Sequence, residues 1–216
     1  MSLTAKESSG REPMEEGWKD AVCCWVTDLG STLNPFQPGK MKNDILFSFE
    51  VPSARVMVED KSMPAVLSMF LNNTLHAKGS MRKVLESWRG KSFTKEELVA
   101  FKLNNVVSAP CRIQVVHKAK ADGSIGEKIA NVMEASDGGK ELKVEGTACY
   151  FDLDEGTDPP DALPAWIIER IHQSEEWAIR HPAAADGPDA TGGMTGMVDG
   201  DPFADLDAEK GEEPLF

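Results

Sequence analysis

Apolar and polar residues alternate along several stretches of the chain, and this period of two is typical of β-strands. The clearest case is the range 43–51, in which every second residue is apolar: Ile45, Phe47, Phe49 and Val51. Residues 19–29 also alternate and predict a strand, with both of its faces largely apolar. The same reasoning predicts further strands at 65–75, 111–118, 127–135 and 147–153.

Three stretches instead predict helices. Ser80 is expected to cap a helix whose apolar face is formed by Met81, Val84, Leu85 and Trp88. Thr94 and Glu97 have the spacing of a capping box and predict a second, short helix. Asp161 is expected to open a third helix, with an apolar stripe of Leu163, Trp166, Ile167, Ile171 and Trp177.

Several short strands with a helix inserted after the third predict a mainly β fold, and we expect a five-stranded Greek-key barrel of the OB type. The pattern alone does not distinguish an OB barrel from other small barrels. We expect a flexible N-terminal arm at 1–16, one folded domain at 17–181 and an acidic tail at 182–216. The tail is predicted to be disordered because it is rich in Ala, Gly, Pro and Asp and has little to bury.

The net charge of −13 conceals a basic centre, because residues 61–120 contain 11 basic and 3 acidic side chains. Basic grooves with interleaved aromatic rings hold single nucleic-acid strands, since cations neutralise phosphates and rings stack on bases. Phe70 is the leading stacking candidate because its strand neighbours on that face are polar, and Trp25 is the second. The cationic candidates are Arg82, Lys83, Arg89, Lys91, Arg112, Lys118 and Lys120.

The range 182–216 has nine acidic residues against one lysine and ends in Pro-Leu-Phe. Such a tail suits a docking peptide, in which acids steer the encounter and a terminal ring enters an apolar pocket. It is also able to cover a basic surface when no nucleic acid is bound. The alternative is an acidic tail that only increases solubility. The candidate partner-binding residues are Asp205, Asp207, Glu212, Glu213, Leu215 and Phe216.

No assembled catalytic motif is found in the sequence, so we expect a protein that is not an enzyme and needs no cofactor or metal. The densest acidic cluster is better explained as solvated charge: Asp152, Asp154 and Glu155. The cysteines lack zinc-site spacing and are expected to be buried apolar fillers: Cys23, Cys24, Cys111 and Cys149. Without a signal peptide or an apolar membrane span, the chain is expected to be soluble and intracellular.

Several segments resemble a family of tailed-bacteriophage single-stranded-DNA-binding proteins. They are 21–30, 81–103, 110–117, 129–131, 150–154 and 163–175, and the most specific is Leu85-Glu-Ser-Trp-Arg-Gly-Lys91. The resemblance runs from Glu16 to Arg180 and departs at Ser108-Ala-Pro-Cys111. It implies an OB fold that binds and protects single-stranded DNA independently of sequence during phage DNA replication and recombination, in the cytoplasm of the infected bacterial host. It assigns no individual DNA contact.

On this interpretation the tail recruits phage or host replication and recombination proteins, no membrane is involved, and self-association is left open. The main alternative is a phage protein–protein interaction or inhibitor module without nucleic-acid binding. A strand-annealing protein and a nuclease are further rivals, and the nuclease would have to use Asp152, Asp154 and Glu155. RNA binding is a close variant, because OB surfaces accept both kinds of strand.

Overall fold

The computed structural model describes residues 13–58, 60–119 and 123–182. These ranges contain six strands: β1 Gly17–Leu33, β2 Met41–Val58, β3 Lys61–Asn72, β4 Pro110–Ala119, β5 Ile125–Glu134 and β6 Cys149–Phe151. They also contain four α-helices: α1 Ser80–Arg89, α2 Lys95–Ala100, α3 Ala165–His172 and α4 Glu175–Arg180. Single 3-10 turns occupy Leu103–Val106 and Leu153–Glu155.

The strands form one sheet in the order β3-β2-β1-β4-β5, with antiparallel neighbours. The long strand β1 links the two halves, since residues 17–22 pair with β4 and residues 22–33 pair with β2. Strand β6 lies parallel to β1 at residues 25–27. No ladder joins β3 to β5 in the described ranges, so the sheet is open. The mainly β prediction is confirmed, whereas closure into a barrel is not shown.

The main core lies on the inner face of this sheet, and the alternating pattern predicts it correctly. Its β2 side chains are Ile45, Phe47, Phe49 and Val51, all buried. Helix α1 closes the core with Met81, Leu85 and Trp88. The ring of Trp88 lies 5.5 Å from that of Phe49, and its Nε1 donates to the Pro110 carbonyl at 2.9 Å. Trp88 is therefore a core residue that also fixes the start of β4.

The helix ends differ in part from the predictions. Thr94 and Glu97 make the predicted capping box, with both reciprocal hydrogen bonds present. Ser80 does not cap α1, because its backbone is already helical and the extended N-cap residue is Gly79. A side-chain cap needs a polar side chain on the extended residue, which glycine lacks.

The single helix predicted from Asp161 is wrong, because the segment forms two helices. Residues 161–163 form a turn, and α3 begins after Pro164. The helical path is interrupted at Ser174, whose Oγ accepts a hydrogen bond from the Trp177 amide and caps α4. Trp166 is 39% exposed, so it lies outside the apolar stripe predicted for it.

A second core forms where the C-terminal helices cover the outer face of β1–β3. Its buried members are Leu29, Leu46, Cys149, Phe151, Leu153, Leu163, Ile167 and Ile171. Gly30 permits this packing, because at its φ of +71° an added Cβ would lie 2.5 Å from Ser174 Cβ. Nearby, the Ser31 amide donates to Glu176 Oε2 at 2.7 Å and ties α4 to β1.

Residues 14–16 of the range predicted as an arm contact the domain. Met14 is buried in the main core, and its carbonyl contacts His117 Nε2 at 2.7 Å. Residues 1–12 of the predicted arm lie outside the described ranges.

All four cysteines are free and buried. Burial raises the pKa of Cys24 to about 12 and raises that of Cys111 further. A thiol held in its protonated form is a poor nucleophile, which agrees with the prediction that these residues fill the core. No helix of the described residues is long and apolar enough to cross a bilayer.

Candidate nucleic-acid interface

The outer surface of the sheet has two unlike halves. The C-terminal helices cover the half formed by β1–β3 around Leu29, Leu46 and Phe70, although Val66 on β3 stays 37% exposed. The N-terminal part of β1, together with β4 and β5, presents an open outer surface. Side chains that are directly opposite in an antiparallel pair lie on the same face. We call this surface the open face and define it by Trp18, Arg112, Gln114, Lys118, Lys128 and Asn131.

The register arranges these side chains in rows across the three strands. Trp18 lies opposite Gln114, which lies opposite Asn131. Arg112 belongs to the neighbouring row, and Lys118 ends the face near the β4–β5 turn. Arg112 and Lys118 are six positions apart on β4, about 20 Å at strand rise. The open face is therefore long enough to follow several nucleotides.

Trp18 is the exposed aromatic ring of the open face, with 39% of its surface accessible. The Arg112 guanidinium carbon lies 5.6 Å from the ring centre. Arg112 Nε also lies 3.8 Å from Asp20 Oδ1, which orients the side chain from the neighbouring strand. Arg112 lies over one face of the ring, as Arg170 does at Phe70, so a base would stack on the other face of Trp18 or displace Arg112.

Next to this ring, Asn131 Nδ2 donates to Gln114 Oε1 at 2.7 Å. This bond does not use the Gln114 amide group or the Asn131 carbonyl oxygen, and the Asn131 side chain is exposed. These groups offer donors and an acceptor to a base without favouring a single one. Lys128 lies on β5 in the next row, opposite Val116, and adds a cation to the same face.

The predicted cations of α1 and of the segment just after it do not belong to this face. Arg82 Nε donates to Glu86 Oε1 at 3.0 Å, and Lys91 Nζ lies 3.9 Å from Glu97 Oε1. Lys83 is exposed on the outer side of α1 and makes no ion pair with a described residue. The fold thus separates Arg112 and Lys118, which lie on one face of the sheet, from the cations of α1 and the segment after it.

Arg89 makes contacts within the folded domain and is not part of the open face. Its Nη2 contacts Glu97 Oε1, and its guanidinium carbon lies 4.4 Å from the Phe93 ring centre and 5.3 Å from that of Phe101. Two hydrogen bonds hold the pKa of Glu97 below its usual range. The bond from the Thr94 amide has the larger effect, and the bond from the Arg89 side chain has the smaller one. This cluster joins α1 to α2.

Phe70 and Trp25 lie on the covered half. Both pack against the second core, and the Arg170 guanidinium carbon lies 4.8 Å from the Phe70 ring centre. Trp25 Nε1 donates to the Thr147 carbonyl at 2.8 Å. Stacking of a base on Phe70 would therefore require Arg170 to move.

Lys120 and the candidate tail residues lie outside the described ranges. The tail residues are Asp205, Asp207, Glu212, Glu213, Leu215 and Phe216.

The acidic residues near β6 are engaged in local contacts. Asp152 accepts from the Tyr150 hydroxyl and from the Asp154 amide, both at 3.0 Å. Burial, together with this hydrogen bond, raises the pKa of Tyr150 to about 12. The described residues contain no group of three side chains that could hold a metal ion.

A separate apolar feature lies at the β1–β2 hairpin tip. Phe36 is 53% exposed, and Leu33 and Met41 beside it are also exposed. Exposed apolar clusters of this kind often mark contact surfaces.

No protein-family model matches the chain, and no curated protein is significantly similar to it. The resemblance to phage single-stranded-DNA-binding proteins therefore stays a prediction.

Proposed function

We propose that the chain is a non-enzymatic protein that binds and protects single-stranded DNA independently of sequence, and that the open face holds the strand. The observation that supports this most directly is the exposed Trp18 with the Arg112 guanidinium beside it. Ring and cation together provide stacking and charge neutralisation, the two contributions that hold single strands without reading their sequence.

We also propose that the domain is an OB fold. The strand order and the helices between β3 and β4 agree with this, and OB barrels are partly open. OB domains bind oligonucleotides on the β2–β3 face and through the β1–β2 and β4–β5 loops. Here Leu46 and Phe70, on the outer face of β2 and β3, pack under the C-terminal helices, and we therefore assign the strand to β4, β5 and the nearby turn.

The biological role we propose is the protection of single-stranded DNA during phage DNA replication and recombination in the host cytoplasm. The resemblance of segments such as 81–103 supports this role. The tail would recruit phage or host replication and recombination proteins, because acids steer encounters with basic partners and a terminal ring enters an apolar pocket. Its residues for this role are Asp205, Asp207, Glu212, Glu213, Leu215 and Phe216.

Fluorescence anisotropy with labelled oligo-dT and a matching duplex, across a salt series, tests the proposal. We expect preference for the single strand and a fall in affinity with salt. Arg112→Gln should reduce the slope of log K against log salt by about 0.7, the value for one phosphate contact on a single strand. Lys78→Gln, an exposed lysine in the loop before α1, is the matched control and should leave the slope unchanged. Absence of binding at low salt, by the full chain and by a variant ending at residue 182, would refute the proposal.

The hairpin tip supports a second candidate, a protein-binding module. Leu33, Phe36 and Met41 expose apolar surface that DNA binding on the open face does not use. If this candidate is correct, oligonucleotides do not bind and a Phe36→Ser variant loses a protein partner. If the DNA proposal is correct, Phe36→Ser binds oligo-dT like the wild type.

A further inference from the structure

We propose that a groove at the start of β4 is a second subsite for the same single strand, which takes one or two unstacked bases. This inference rests on the proposed DNA-binding function and deepens it. The groove has a volume of about 770 Å³, which lies within the range of roughly 300–1,000 Å³ for ligand pockets. Its apolar lining includes Pro110, Leu142, Val144 and Ala148, and its charged residues are Lys140, Glu141 and Lys143.

The groove continues the open face. Pro110 precedes Arg112 by two positions on β4, so it has the same outward direction about 7 Å away. Asp20, opposite Arg112, accepts from Ser136 Oγ at 2.7 Å. This contact brings the segment that leads into the groove wall to the edge of the open face. The groove therefore lies next to the Arg112 end of the open face.

The walls of the groove are held in place by hydrogen bonds. The buried Glu50 carboxylate accepts from the backbone amides of Glu145 at 2.7 Å and Gly146 at 3.0 Å. Arg55 Nη1 donates to both carboxylate oxygens of Glu145 at 2.9 Å. The opposite wall is fixed by the bond from Trp88 to the Pro110 carbonyl. Binding in a groove that is already formed avoids the cost of ordering it.

The composition of the groove suits a nucleotide. Pro110, Leu142 and Val144 provide an apolar lining on which a base can rest. Lys143 is exposed and makes no ion pair with a described residue, and Lys140 is exposed although its Nζ lies 2.8 Å from Asp137 Oδ1. Glu141 is the acidic member of the lining. Two cations beside an apolar lining match a strand whose bases turn inward and whose phosphates stay at the rim.

A length series of oligo-dT tests the subsite, with anisotropy measured across salt for the full chain. Site sizes for OB domains run from about 4 to 16 nucleotides, and the series should span them. For a Lys140→Gln/Lys143→Gln variant we expect the slope to fall by about 1.4 on long oligonucleotides and to stay unchanged on the shortest that bind. Ala148→Phe, which fills the groove, should weaken only the long ones. Lys61→Gln/Lys78→Gln is the matched control, because both lysines are exposed and lie outside the groove.

A direct readout uses oligonucleotides that contain photoreactive 4-thiothymidine. We expect cross-links to residues 140–148 in the wild type, and their loss in Ala148→Phe while cross-links to the open face persist. Thermal unfolding checks that the variants fold. If the wild type binds oligo-dT but both groove variants keep its slope, affinity and cross-links, the subsite is overturned and the proposed function stands. If the wild type binds no oligonucleotide, the proposed function itself fails.

Discussion

Replacing Trp18 with alanine removes the aromatic platform of the open face while leaving its charges in place. Trp18 is 39% exposed and its Cβ stands on the outer side of β1, so its removal creates no cavity in either core. Stacking of one base on an aromatic ring contributes about 1–3 kcal/mol. The expected loss of affinity for single-stranded DNA is therefore about 5- to 150-fold.

The salt dependence separates this effect from an electrostatic one. Tryptophan carries no charge, so Trp18→Ala should shift the affinity by the same factor at every salt concentration and leave the slope unchanged. Trp166→Ala is the matched control, because Trp166 is equally exposed at 39% but lies on α3 over the covered half. Anisotropy with oligo-dT measures both variants, and thermal unfolding confirms that both are folded.

Two results would refute the assignment of the strand to the open face. One is wild-type affinity in Trp18→Ala, which would show that no base stacks on this ring. The other is a larger loss in Trp166→Ala than in Trp18→Ala, which would move the strand to the surface of the C-terminal helices.

Three further predictions concern the fold around the interface. Arg89→Gln should lower the free energy of unfolding by about 1–2 kcal/mol in urea titrations, because it removes contacts with Glu97 and two phenylalanine rings, and should leave the salt slope of DNA binding unchanged. Gly30→Ala should lower the free energy of unfolding more than Gly39→Ala does. Both glycines have positive φ, but only an added Cβ at Gly30 would meet Ser174, so equal losses would contradict the packing described. Because the pKa of Glu97 is lowered in the fold, its contribution is present above the ordinary glutamate pKa of about 4.3 and is lost as pH falls below it. The thermal midpoint of wild type should fall more steeply in that acidic range than that of Glu97→Gln.

The strands and the main core could be predicted from the sequence because their signals are local. Alternation at 43–51 places Phe47 and Phe49 in the core, and the spacing of Thr94 and Glu97 gives the capping box. These features depend on residues within one element, where period and capping chemistry decide the outcome.

The interface could be predicted only in part, because it depends on contacts between distant segments. Phe70 has polar neighbours on its own strand, but the pattern does not show that Arg170 covers its ring. The sequence predicts Arg89 as an outward cation, because the pattern does not show that Glu97 and the Phe93 and Phe101 rings lie beside it. Trp18 was not predicted, because the predicted strand began one residue later, at Lys19. Trp18 and Asp20 are two positions apart, so on an extended strand both side chains lie on the same face, and this spacing was the available signal.

The second core has a consequence for how the chain is made. It joins the ends of the domain, since the contact between Ser31 and Glu176 spans 145 positions. Strands β1–β3 leave the ribosome about 100 residues before α3 does, which at synthesis rates of about 5–20 residues per second is a delay of roughly 5–20 s. During that interval Leu46 and Phe70 have no cover from the C-terminal helices. Pairings this far apart in sequence also slow folding. A nascent or truncated chain that ends before α3 is thus the form most exposed to aggregation and most dependent on chaperones.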